Sequence, residues 1–568
     1  MGCRDEILSD DYIDYIWKVD ARTALREAER LGICGQYVTD GLMIFYMNQE
    51  EVVRNPSGML IGDYAVTYCH TQLDTESLEK TRILTIQNQP ALGLRGRGVL
   101  LGFLDSGIAL EDAVFRNLDG STRVVGLWDQ TDQSGEPPGD MRYGTAYTAE
   151  DIDRLLQEGT ENLPGYDENG HGTKVASIAA GSALEDRNFI GAAPEASIAF
   201  VKLKPAKPSI RRLQQIPQDA VAYEEADMML AVRYLDMLAS ELGMPLVICL
   251  ALGSNSGGHT GATPLGLYLS EFARRAGRAV AAAAGNEGNQ GHHFYGEIPP
   301  DTGYLDVELR VGANESGFQM NLWGNAPGIF SVEVISPSGE KIPRIFSCPL
   351  ERQRYEFVFE NTVLDLQYEQ AEVISGDERL LLLFRDPTPG IWRIRVFARG
   401  DLDSSFHIWL PITGFISDDT YFLRSSPDTT VTEPANAEGV ITFAGYDARE
   451  NSIWLDSSRG LTRYQRQKPD LAAPAVEVSA IDRRGNAGTL TGTSAAAALG
   501  AGACALFLEW GIVRDNFSTM DSVTIQRYLI RGAARPPVFT YPNQLWGYGL
   551  LDLYGGFQAV SGSRVSAL

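Results

Sequence analysis

Two apolar runs of strand length each end on a polar side chain, and this pattern restricts the fold more than any other feature of the chain. Val99-Leu100-Leu101-Gly102-Phe103-Leu104 closes on Asp105, and Ala281-Ala282-Ala283-Ala284-Gly285 closes on Asn286. A strand that is apolar on both faces must be covered on both faces, which is the habit of parallel sheets layered between helices. Both polar residues then stand at carboxyl ends of strands, where open α/β sheets assemble their sites. Ala437-Glu438-Gly439-Val440-Ile441-Thr442-Phe443-Ala444-Gly445 reads as a further short buried strand. The expected class is therefore α/β, with a parallel-sheet core.

Two helix starts supply the remaining chemistry. Asn169-Gly170-His171-Gly172-Thr173 leads into a helical stretch at 174–181, and glycines on both sides of His171 let a turn bring the imidazole close to a partner. Gly492-Thr493-Ser494-Ala495 ends a Gly/Thr-rich turn and opens an Ala-rich helix toward Phe507. Ser494 Oγ thereby meets free backbone N–H groups and a helix dipole that favour developing negative charge. Taken singly, each residue has an ordinary structural reading: Ser494 an N-cap, Asp105-Ser106-Gly107 a turn, His171 a loop residue, Asn286 a turn former. Taken together they form the complement of a Ser-His-Asp hydrolase. Serine needs a base, the imidazole needs a carboxylate to fix its tautomer, and a tetrahedral oxyanion needs donors.

At these residues the chain resembles the subtilases. The resemblance rests on Asp105-Ser106-Gly107, His171-Gly172-Thr173, Ala251-Leu252-Gly253, Ala284-Gly285-Asn286, Lys468-Pro469-Asp470-Leu471-Ala472-Ala473-Pro474 and Gly492-Thr493-Ser494. It implies that Asp105 orients, His171 is general base and then acid, and Ser494 attacks. Asn286 Nδ2 and the Ser494 backbone N–H would form the oxyanion hole. Ala251-Leu252-Gly253, with Ala284 and Gly285 beside it, would bind substrate backbone by strand addition. Where many subtilases follow the serine with Met-Ala and a Thr/Ser-Pro, this chain has Ala495-Ala496-Ala497-Ala498, which removes an oxidisable neighbour and no catalytic group. The segment Gly93-Leu94-Arg95-Gly96-Arg97-Gly98-Val99-Leu100 and a large β-rich insertion before the serine are similar to the clostridial branch that includes the Csp spore-germination proteases.

Composition narrows the partners. With 74 acidic against 48 basic residues the chain carries a net charge of −26, which disfavours nucleic acid or anionic membrane as a partner. The first six residues, Met1-Gly2-Cys3-Arg4-Asp5-Glu6, lack the basic and apolar regions of a secretory signal, and no apolar run is expected to reach the length of a membrane span. Cys3, Cys34, Cys69, Cys249, Cys348 and Cys504 show no metal-type spacing and are expected to be reduced. Cytoplasmic synthesis follows, with packaging in a spore implied by the Csp resemblance. No cofactor is expected. Calcium is frequent in subtilases, but no loop here matches an EF-hand pattern, and His259, His292 and His293 lack partners at ligand spacing; the two that follow Asn286 are expected at the cleft rim.

Four stretches are expected. Residues 1–75 read as a small α+β domain, helical over 10–17 and 21–31, with a hairpin turning at Asp40-Gly41; the subtilase resemblance implies that it is a propeptide that chaperones folding and binds in the cleft. Its end, 64–72, alternates as a cleft strand would, which places self-cleavage near Tyr68 to Gln72. The core would occupy 76–303 and 421–568, because the chain between Asn286 and Ser494 is far too long for a simple connection. Residues 304–420, with β-like runs at 330–336, 379–385 and 391–397, would be an inserted all-β, jelly-roll-like sandwich. Trp323, Trp392 and Trp409 are expected in its core or rim. The stretch 130–165, rich in Gly, Pro and acids, is expected as a loop near the cleft, and Gly296 and Glu297 are expected at the floor of the substrate pocket. The leading function is a serine endopeptidase acting on protein or peptide, its own propeptide included; the Csp resemblance alone implies a zymogen among its substrates. The alternative is a propeptide-locked pseudoprotease that binds or signals. An esterase is disfavoured, since Ser494 lies in Gly-Thr-Ser-Ala and not in a Gly-x-Ser-x-Gly elbow.

Overall fold

The computed structural model describes residues 3–18, 26, 28, 32–39, 41–48, 63–66, 69–72, 78–160, 162–346, 352–399 and 404–562. The strand Leu100–Asp105 is buried along its whole length and lies at the middle of a nine-stranded sheet. On one side follow Leu246–Leu250, Arg278–Ala283 and Ile441–Asp447; on the other, Ser197–Lys202 and Val124–Asp129. All of these neighbours run parallel. The short strands Ser452–Ile453 and Thr145–Thr148 add antiparallel edges, and Leu471–Pro474 pairs in parallel with Ile441–Asp447.

Period-two alternation divides the core. Leu101, Phe103, Val247, Ala279 and Ala281 pack toward the helices His171–Ala180 and Thr493–Leu508. Leu100, Leu104, Ile248, Val280 and Ala282 face the opposite layer, where Met228, Leu235, Leu265 and Leu269 come from Glu225–Glu241 and Pro264–Phe272. Every residue of Thr493–Leu508 is buried, and its small side chains permit that depth: a Cβ on Gly500 would lie 2.2 Å from the Phe443 ring. With its continuation to Val513 this helix is long and apolar enough to cross a bilayer, contrary to the sequence expectation, yet 83% of its apolar window is buried inside the protein. Such a pattern suits a core helix equally well.

The β-rich insertion is two antiparallel sheets sharing one core, in which Phe318, Phe384 and Trp392 meet Val332 and Ile394. One sheet has six strands and runs from His293–Glu297 to Arg352–Glu356; the other has five and runs from Lys341–Ile345 to Tyr421–Phe422. Trp323, Trp392 and Trp409 are all buried. The stretch 130–165 is not wholly a loop: it contains the edge strand Thr145–Thr148 and the helix Ala149–Glu158, whose Thr148 and Asp151 form a capping box.

Near the N-terminus, Cys34–Thr39, Leu42–Asn48, Tyr12–Lys18 and Asp63–Val66 form a four-stranded antiparallel sheet. Tyr12–Lys18 is a strand where a helix was expected. Ile13, Tyr15 and Trp17 face one apolar cluster with Met43, Phe45 and Ile210, and Ile16 faces another. Burial on both faces by β-branched and aromatic residues favours the extended form over the apparent helical spacing. The helix expected at 21–31 lies for the most part outside the described residues, as do Asp40 and Tyr68. Cys3 and Cys34 are paired in a disulfide, which departs from the expectation of reduced thiols, while Cys249 and Cys504 are free and buried.

Candidate active site

Three elements bring Asp105, His171 and Ser494 together at the carboxyl edge of the sheet. Asp105 is the last residue of its strand, His171 the first of its helix, and Ser494 the second residue of the helix that Gly492 introduces. His171 Nδ1 lies 2.9 Å from both oxygens of Asp105, and Nε2 lies 3.3 Å from Ser494 Oγ. A carboxylate only accepts, so Nδ1 carries the proton and Nε2 is left as the acceptor facing the serine hydroxyl. Exposures of 2%, 8% and 0% for the three side chains give a low-dielectric setting in which this polarity is felt strongly. Ser494 Oγ also lies 3.4 Å from the Ala251 carbonyl, a second acceptor for its proton.

A second acid, which the sequence reading passed over, organises Asp105 and His171. Asp167 is buried and accepts from Ser106 Oγ (2.6 Å), Gly170 N (2.9 Å), Thr173 N (2.8 Å) and Thr173 Oγ1 (2.7 Å). Ser106 Oγ in turn accepts from Gly172 N at 3.1 Å. The turn after Asp105 and the helix start at His171 therefore share one anchor. Contact there is so close that a Cβ on Gly172 would lie 2.3 Å from the Gly107 carbonyl oxygen, a separation only glycine permits. The available signal was position: Asp167 precedes His171 by four residues, in the turn that leads into its helix.

Asn286 follows the strand Arg278–Ala283 and faces the start of the serine helix. Its Oδ1 accepts from Thr493 N and Thr493 Oγ1, both at 3.1 Å. Those bonds fix the amide orientation, so that Nδ2 is the group presented away from Thr493. Ala284 and Gly285 lie beside the site with their backbone groups engaged internally. Ala284 N donates to Phe443 and Ala284 O accepts from Thr432 N, while Gly285 N donates to Thr493 Oγ1 and Gly285 O accepts from Ser458 N. Their contribution is shape.

Leu252–Gly253 does pair with an extended segment, and that segment belongs to the chain itself. Leu252 is opposite Gln72 and Gly253 opposite Thr71, antiparallel. Across the same segment Tyr223 is opposite His70 and Glu224 opposite Cys69. The backbone of Cys69–Gln72 is thus the middle strand of a three-stranded sheet.

Gly296 and Glu297 require correction. They lie on His293–Glu297, a strand of the six-stranded sheet paired with Ser405–Trp409, and not at a pocket floor. Beside the groove strand, the buried acids Glu287 and Glu433 contact Asn255 and Ser254. His292 and His293 are buried as well: His292 Nδ1 donates to Glu287 at 2.6 Å, and His293 stacks on Trp409 with Nε2 2.9 Å from His407 Nδ1. Burial pushes the His293 imidazole down to about 3 and that of His259 to about 4, so both are neutral.

The profile of the subtilase family matches residues 96–305 and 388–549, a span broken only within the β insertion. The membrane-bound transcription factor site-1 protease of Mus musculus is 31% identical over 144 residues, which are 24% of this chain and 13% of that protein. Subtilisin-like protease SBT3.1 of Arabidopsis thaliana is 32% identical over 125 residues, 19% of this chain and 16% of its own length. The chain thus spans less than a fifth of the length of these curated relatives. The structure of the CspB protease of Clostridium perfringens is similar over 86% of this chain and 98% of its own, with a TM-score of 0.76 and 29% identity. The chain belongs to the subtilase family, and its fold is that of the subtilisin-like serine proteases.

Proposed function

We propose that the chain is a serine endopeptidase that cuts its own N-terminal segment after Gln72 and then acts on other protein chains. One observation carries this reading: Cys69–Gln72 is laid as a strand on Leu252–Gly253 in an antiparallel register that sets Gln72 opposite Leu252, next to Ala251, whose carbonyl touches Ser494 Oγ. Ser494 Oγ attacks the Gln72 carbonyl carbon and its proton passes to His171 Nε2, while Asp105 stabilises the imidazolium. Asn286 Nδ2 and the Ser494 N–H donate to the oxyanion. Collapse breaks the C–N bond as His171 returns the proton to the leaving amine, and water then hydrolyses the acyl ester with His171 as base. No step needs a cofactor.

In this reading the cut removes residues 1–72 of the 1–75 propeptide region, the inserted sandwich is 304–420 with the flanking strands His293–Glu297 and Tyr421–Phe422, and the rest of 76–303 and 421–568 is the catalytic body. The resemblance of the sequence to the Csp branch implies packaging in a spore and a zymogen as substrate. A second reading, a binding module locked by its own propeptide, is favoured by the same strand, because it occupies the groove. Mass spectrometry separates the two. Wild type should yield a chain beginning at Leu73 that Ser494→Ala does not, and a fluorophosphonate probe should label Ser494. Identical masses together with no labelling of folded protein would sink the peptidase reading in favour of the locked one.

A further inference from the structure

Glu287 directly follows Asn286 and is 2% exposed. Its two carboxylate oxygens accept four hydrogen bonds from three separate segments. Oε2 accepts from His292 Nδ1 at 2.6 Å and from Asn255 Nδ2 at 3.0 Å. Oε1 accepts from Thr413 N at 3.0 Å and from Thr413 Oγ1 at 2.7 Å. Asn255 lies two residues beyond the pairing strand Leu252–Gly253. His292 precedes the strand His293–Glu297 by which the chain enters the sandwich, and Thr413 follows that strand's partner, Ser405–Trp409. The Glu287 N–H itself donates to Ser458 Oγ at 3.0 Å. One carboxylate thus joins the residue after Asn286 to the loop behind the groove strand and to this edge pair of the insertion.

Burial raises the Glu287 carboxyl, but attraction to His292 and the hydrogen bonds from His292 and Thr413 outweigh it and hold the group below its ordinary value. An ionised carboxylate at this depth carries a desolvation cost that hydrogen-bond donors must offset. Both carboxylate oxygens are satisfied, and such a network favours a single geometry, although Asn255 Oδ1 is buried without a hydrogen-bond partner among the described residues. Since Asn286 is pinned on one side by Thr493, the other constraint on its placement is the backbone that Glu287 anchors.

We propose that Glu287 is a positioning residue that acts through Asn286, holding the amide Nδ2 where the oxyanion forms and fixing its distance from the groove strand. This rests on the reading of Asn286 as an oxyanion donor. The test is a double-mutant cycle on the rate of Ser494 phosphonylation by a fluorophosphonate, in wild type, Glu287→Gln, Asn286→Ala and the double variant. Asn286→Ala should slow labelling by about 100- to 1,000-fold, and Glu287→Gln by about 10- to 100-fold. The double variant should label no more slowly than Asn286→Ala alone. A double variant slowed by the product of the two effects, or a Glu287→Gln protein labelling at the wild-type rate, overturns the proposal. Asn286→Ala labelling at the wild-type rate sinks the oxyanion reading instead, and wild type that neither labels nor self-cuts sinks both. Thr413→Val removes one donor to Glu287 and should give a smaller slowing, again absent in the Asn286→Ala background. It carries the test if Glu287→Gln does not fold.

Discussion

At Asp167 a single carboxylate receives the Ser106 hydroxyl, the Gly170 N–H and both Thr173 donors, so the alignment of Asp105 with His171 depends on a group that touches neither reacting atom. Asp167→Asn would turn an N–H donor toward N–H donors and leave at least one of them unpaired. It should lower kcat by about 10- to 100-fold while leaving KM nearly unchanged, because the loss falls on the transition state and not on the groove. Steady-state kinetics on a peptide substrate checks this, and a rise in KM with constant kcat would contradict it. Asp105, His171, Asn286 and Ser494 are legible in the sequence because each sits where a short local pattern ends. Asp167 and Glu287 are not, because their meaning lies in donors presented by the fold.

At the scale of elements, the segment 431–436 is held against the groove strand, with Ser254 and Glu433 exchanging backbone hydrogen bonds at 2.9 Å. Glu433 is buried there, and burial pushes its carboxyl up to about 7, above the ordinary value of 4.5. Its Oε2 and Asn436 Oδ1 are both buried without a hydrogen-bond partner, and a proton on Glu433 gives the pair a donor. The folded protein therefore holds a proton that the unfolded chain has released between pH 4.5 and 7. That contribution to stability is complete below pH 4.5 and is lost as pH rises through 7. Urea denaturation at pH 5 and pH 8 should show wild type gaining about 3 kcal/mol on acidification relative to Glu433→Gln. Parallel responses in the two proteins would refute it. The helix Thr493–Leu508 shows the opposite balance: its alanines predict it from sequence, and no charge intervenes.

Across the whole molecule, two buried ion pairs tie the peripheral sheets to the core. Arg463, with no side-chain exposure, donates to Asp377 and Asn325 of the sandwich at 2.6 Å and to the Gly258 carbonyl at 2.8 Å. Asp14, on the N-terminal sheet, is fully buried and paired with Lys207, beside Glu224, Asp227 and Lys204. Removing one partner of such a pair strands the other charge, at a cost of about 3 to 5 kcal/mol. If the cut N-terminal segment stays bound through this contact, Asp14→Ala should weaken its retention by about 100-fold or more, read by size-exclusion chromatography of the processed protein. Unchanged co-elution at high dilution would rule the contact out as the anchor. The sequence by itself determined the parallel core, the chemical groups at its strand ends and helix starts, and the presence of an all-β insertion, because local periodicity and residue type dictate those. Only the tertiary structure decided that Tyr12–Lys18 is a strand, that Cys3 meets Cys34, that residues 69–72 fill the groove, and that Asp167 and Glu287 set the geometry around the serine. Each of those depends on partners that are distant in the chain and become neighbours only when the sheets close on one another.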